Sequence, residues 1–170
     1  MASSPIPPRI AQLLFGAVSL ALSAVLIAQY GPGGHAPSLY DYGAFCGGAA
    51  IVIALVGIAA SFNDGLQGAV MLVIDGLAIL LLLAGGIAFA AKLKVGSCND
   101  ILYFLENDVF LPSLQKLEGL SDKDTINVIQ GRCRMAQADT AFLWLTFACA
   151  VGAALLSNRS SKSGHIGSIV

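Results

Sequence analysis

The stretch at 131–156, GRCRMAQADTAFLWLTFACAVGAALL, combines an apolar run with a charged mouth. From about residue 135 to 156 it is long enough to cross a bilayer core of roughly 30 Å, which takes about 20 helical residues. At its entrance Arg132 and Arg134 flank Cys133. Positive charge at a span's edge marks the cytoplasmic side, whereas a cysteine set for a disulfide marks the opposite one. How the chain sits in its membrane turns on which signal prevails.

Working outward, three more runs of that length occur, at about 10–28, 43–62 and 69–91. The first follows PIPPR and ends at YGPGGHAP, whose glycines and prolines cannot continue a helix. The second stops at the turn signal NDG, and the third follows closely, so the two form an antiparallel hairpin. A signal peptide cut after Ser23 competes for the first run. That run exceeds the roughly 7–15-residue core of a signal, and only Arg9 precedes it, so the span reading stands.

Composition agrees. The 170 residues are 56% hydrophobic and 11% charged, with a mean hydropathy of +0.79, beyond the usual composition of a soluble domain. A net charge of −1 offers no basic field for nucleic acid. Four cysteines without a CxxC pair or a Cys/His cluster suggest no metal site and no cofactor. The expectation is an all-α membrane protein, a four-helix transmembrane bundle forming one domain over 1–170. Its main loop, 92–134, contains ILYFLENDVFLPSLQKLEGL and DKDTINVIQ, read either as an amphipathic pair of helices or as an irregular loop tied at its ends.

With four spans both termini share a side with the short second turn. That side carries Arg9, Arg159 and Lys162, and the loop carries Lys92, Lys94, Lys116, Lys123, Arg132 and Arg134. The positive-inside rule therefore puts the loop in the cytoplasm. Cys98 and Cys133, near the loop's two ends, are either bridged, which puts the loop in an oxidising compartment, or free thiols. The residues alone leave both topologies open.

SCN at 97–99, RCRMAQADTAFLWL at 132–145 and LVIDGLAILLLLAGG at 72–86 resemble the paired elements of the fungal MARVEL-domain proteins called non-classical export proteins. The resemblance covers most of the chain. The loop between the cysteines is longer than that pattern, and the C-terminal tail is short with few basic residues. What the resemblance implies is a Cys98–Cys133 disulfide closing an extracellular loop, cytoplasmic termini, and a plasma-membrane tetraspan protein. It also implies an association with eisosomes, sphingolipid status and unconventional secretion. Expected partners are membrane lipids, such as sphingolipid or sterol, and eisosome proteins or a second copy of the chain. Cys133 then explains the mouth of the fourth span better than the arginines do.

Three polar residues stand out in or beside the spans. Asp75 lies inside the third span, where an unpaired acid costs several kcal/mol. It reads as a packing element with Ser19 as a hydroxyl donor, so that Asp75→Asn is expected to be tolerated; lipid or partner contact and ion passage are the alternatives. No second buried charge is expected at its depth. Asp139, with Gln137, opens the fourth span as a solvated acid, an acid paired with Arg134, or a headgroup contact. Small residues four apart, Gly43 with Gly47 and Ala148 with Gly152, suit close helix packing, within the bundle or between copies. Cys46 and Cys149 read as small apolar groups. His35 and His165 have no partner for metal or acid–base chemistry, and the NRS sequon at Asn158 abuts the membrane.

The expected function is therefore non-enzymatic organisation of membrane domains, with no catalytic residue. The alternative is a small transporter or channel component using Asp75. A four-helix thiol oxidoreductase would need closely spaced reactive cysteine pairs, which the chain lacks.

Overall fold

A computed structural model describes residues 6–30, 36–62, 69–94, 96–107, 109–110 and 122–166. Among these residues five helices follow in order: α1 (Ile6–Ala28), α2 (Ser38–Ala60), α3 (Ala69–Leu93), α4 (Ile101–Glu106) and α5 (Asp122–Ile166). The four long ones are each long and apolar enough to cross a membrane. α1 packs chiefly on α2 and α5, and α3 on α5 and α2, with little contact across the α2–α5 diagonal. The helices thus form a ring of four in the order α1, α2, α3, α5.

Local chemistry explains the helix ends. Pro7 and Pro8 occupy the first turn of α1, where a missing N–H would have had no acceptor in the helix anyway. α2 starts after Pro37 at Ser38, ahead of the expected 43, because SLYDY carries the helix into the interface, where tyrosine is at home. The glycine–proline turn after α1 (31–35, including His35), the NDG turn (63–65) and the loop residues 111–121 lie outside the described residues.

The largest departure is at the fourth span. DKDTINVIQ is no separate helix: it is the opening of α5, which continues to Ile166. With no proline between 122 and 166, nothing stops the helix at the membrane boundary. At 45 residues it is roughly 68 Å long by its 1.5 Å rise per residue, more than twice the bilayer core, and so projects from the membrane.

Burial follows a membrane logic. Val52, Val73, Leu80, Ile87 and Leu155 are each more than half exposed, which suits hydrocarbon and not water. Inside, small residues bring α1 and α2 together. A Cβ on Gly47 would stand 2.7 Å from the Leu20 amide nitrogen and 2.9 Å from the Gly16 carbonyl oxygen, and one on Gly43 would meet Phe89 at 2.7 Å. At the loop end of the bundle the core turns aromatic, with Tyr40 between Tyr30 and Phe89.

Candidate functional site

The buried residues of α1 are Arg9, Gln12, Gly16, Ser19, Ser23 and Leu26. They alternate steps of three and four, which keeps one stripe facing the partner helices. This stripe is polar, while the outer faces are apolar.

At the termini end Arg9 is 1% exposed and Asp75 2%. Arg9 Nη1 donates to Asp75 Oδ1 at 3.0 Å, and Nη2 to Oδ2 at 2.7 Å, a bidentate pairing that satisfies both carboxylate oxygens. Nη2 also reaches Ser157 Oγ at 3.4 Å. Gly57 lies against the guanidinium, and any Cβ there would collide with it. All four long helices meet at this pair. The expectation that no second buried charge accompanies Asp75 is therefore corrected: Arg9 is that charge, drawn into the bundle because an unpaired acid there is so costly. Ser19 is not its donor.

Nearer the middle, Gln12 Nε2 donates to the Ala50 carbonyl at 3.5 Å. The next polar cluster is Asp139, fully buried, whose two oxygens accept the hydroxyls of Ser19 and Ser23 at 2.5 Å each. Asp139 is thus neither solvated nor paired with Arg134, which is exposed. Its position on α5 turns it toward α1, away from the mouth. Gln137 is exposed and points the other way, donating to the Gly96 carbonyl at 3.0 Å.

At the loop end Arg132 is 7% exposed. Its Nε donates to Gln29 Oε1 at 3.0 Å and its Nη2 to the Gln29 carbonyl at 2.9 Å. The guanidinium also lies over the Tyr30 ring, 5.0 Å from its centroid. A cation here neutralises the negative end of α1.

A cap of loop residues is pinned over this end. Cys98 and Cys133 form a disulfide, with Cα atoms 5.8 Å apart, tying the chain after α3 to α5. Asp100 caps α4 by accepting the Leu102 N–H at 3.0 Å. Asn107 Nδ2 donates to the carbonyls of Lys92 at 3.2 Å and Leu93 at 3.1 Å, and its Oδ1 accepts the Val109 N–H at 3.1 Å. The Tyr103 hydroxyl donates to the Leu93 carbonyl as well. Burial pushes the Tyr103 phenol above its ordinary pKa, with its bond to Asn107 opposing, so it remains a donor at neutral pH. Two of the last carbonyls of α3, those of Lys92 and Leu93, which a helix end leaves without N–H partners, are satisfied by these two side chains.

Among the small residues, Gly43 and Gly47 lie in the α1–α2–α3 contact. Ala148 is exposed and Gly152 half-buried, with only Pro8 near a Cβ on Gly152. The inward face of α5 is instead carried by Ala150 and Ala153, so the Ala148–Gly152 spacing marks the wrong face for packing inside the bundle. Cys46 and Cys149 are free thiols.

Sequence reasoning missed Arg9, Gln12, Ser23, Gly57 and Ser157 as interior partners. The signal for the α1 residues was available in the three-and-four spacing of polar positions. Among the described residues, no group of three His, Cys, Asp or Glu side chains is placed to hold a metal.

No curated protein and no solved structure was found to match the chain. The family model of the MARVEL membrane-associating domain matches residues 2–156, nearly the whole of the four-helix bundle. With that match over most of its length, the chain, a four-helix bundle with apolar outer faces, belongs to the MARVEL family of membrane-associating domains.

Proposed function

We propose that this protein organises lateral domains of a plasma membrane, of the eisosome type found in fungi, responding to sphingolipid content and assisting unconventional secretion. MARVEL-domain proteins are structural proteins of the membrane, and this one is a non-enzymatic member with a part in membrane organisation. The observation that carries the reading is that the buried acids are bonded within the bundle, Asp75 to Arg9 and Asp139 to two serines. What the bundle offers its surroundings is an apolar outer surface and a pinned cap, both suited to lipids and neighbouring proteins. A transporter would need Asp75 free to take up a proton or ion; here Arg9 holds both its oxygens.

The disulfide supports an orientation with the loop outside and both termini in the cytoplasm, since such bonds persist in oxidising compartments. The six basic residues of the loop argue the other way, but Arg132 has a structural use at the end of α1, which removes one from that count. The test is imaging of a fluorescent fusion in fungal cells. The expected result is static plasma-membrane patches that disperse when sphingolipid synthesis is blocked. A uniform, freely diffusing distribution indifferent to sphingolipid would overturn the reading.

A further inference from the structure

At the loop end of α3 the cap borders a half-open cavity of about 230 Å³ lined by Ala91, Lys92, Lys94, Glu106, Asn107 and Val109. It is smaller than the roughly 300–1,000 Å³ of pockets that bury a drug-sized molecule, so it suits a headgroup and not a whole lipid. Two lysines and one glutamate line it together with Ala91, Asn107 and Val109, of which Val109 is buried. Among the described residues neither lysine has an acidic partner within ion-pair distance. The Lys92 and Leu93 carbonyls at the end of α3 already accept bonds from Asn107 and Tyr103. Lys94 holds a left-handed backbone, φ 54°, at the position after a helix where glycine or asparagine is the usual choice. A long cationic side chain is thus kept at a place where the backbone alone favours another residue.

Asn107, on the cap's side of the cavity, is fixed. Asn107 is bonded on both sides of its amide, and the disulfide and the Gln137–Gly96 bond anchor the segment leading to α4. Glu106 closes α4 beside Asn107 and is exposed. Cations from the end of α3 and a carboxylate from the end of α4 therefore line one cavity at the end of a helix long and apolar enough to cross a membrane.

We propose that this cavity binds the headgroup of a zwitterionic phospholipid or phosphosphingolipid, its phosphate between Lys92 and Lys94 and its choline or ethanolamine ammonium against Glu106. The site requires only that the bundle spans a bilayer; it holds whichever side the loop faces and does not depend on a role in domain organisation. Without such a site, interfacial lysines would merely reach for water and anionic lipid of any kind.

The test is calorimetric titration of the detergent-solubilised full chain with dioctanoyl phosphatidylcholine, dioctanoyl phosphatidylglycerol, dioctanoylglycerol and inorganic phosphate. Phosphatidylcholine should bind saturably and tighter than phosphatidylglycerol, with dioctanoylglycerol and inorganic phosphate each roughly tenfold or more weaker. Lys92→Gln and Lys94→Gln should each weaken phosphatidylcholine about fivefold, whereas Lys92→Arg/Lys94→Arg should bind like the parent and so separate lost charge from lost fold. Glu106→Gln should abolish the preference for phosphatidylcholine over phosphatidylglycerol. Equal binding of dioctanoylglycerol, equal binding of inorganic phosphate, indifference to the glutamine substitutions at the lysines, or an unchanged lipid preference in Glu106→Gln would each overturn the proposal.

Discussion

Asp75 and Arg9 are 66 positions apart in sequence, and that distance decides what could be read of them. An acid in an apolar run announces itself. Its partner does not, because Arg9 lies just after two prolines at the start of a span and looks like an ordinary flanking charge. The pairing changes what a substitution should do. With Ser19 as donor, Asp75→Asn would be mild; with a guanidinium buried against it, removing the negative charge leaves Arg9 uncompensated. Breaking a buried ion pair from one side typically costs about 3–5 kcal/mol, whereas replacing both members with apolar residues is far milder. Asp75→Asn and Arg9→Met are each expected to destabilise by that order in detergent unfolding, and Arg9→Met/Asp75→Leu to recover most of the loss. If the double variant is as unstable as either single one, the pair is not the reason for the burial.

At the scale of elements, the positions of the four spans were legible, because twenty apolar residues in a row leave few alternatives. Their limits were less so. Charged DKDTINVIQ read as a short helix of its own or as part of an irregular loop, yet it is the first part of α5, since polarity ends a membrane span without ending a helix. The inward face of α1 was also hidden, because averaging hydropathy over a whole span erases a polar stripe one residue wide. That stripe makes two contacts that can be tested separately. Gly47→Leu should force α1 and α2 apart at Leu20 and Gly16, at about 1–3 kcal/mol or more. Gly48→Ala, with open space around its added Cβ, should be neutral or mildly stabilising. A Gly47→Leu variant with unchanged unfolding would place the helices farther apart than described. Ser19→Ala/Ser23→Ala strips Asp139 of both its hydroxyl donors and should cost on the order of 1–3 kcal/mol. Adding Asp139→Leu should restore part of this, read in the same unfolding assay.

For the whole molecule, the disulfide links fold, orientation and proposed role. Two cysteines near the ends of one loop suggested it, but spacing alone left free thiols open, because pairing depends on whether the chain leaving α3 passes beside the part of α5 that carries Cys133. It does, and the cap that the bond secures also carries Asn107, Tyr103 and the lysine-lined cavity. Cys98→Ala/Cys133→Ala should lower stability by about 2–4 kcal/mol and loosen the cap, seen as faster proteolysis within 94–122. Loss of stability without faster cleavage there would mean that the other bonds hold the cap alone. The most direct test of the account uses intact cells carrying a C-terminal tag and a second tag inserted in the loop, with thiol labelling on the same sample. The account predicts that the loop tag is reached from outside, the C-terminal tag is not, and Cys98 and Cys133 take label only after reduction. Surface staining of the C-terminal tag, or full labelling of both thiols without reductant, would contradict it.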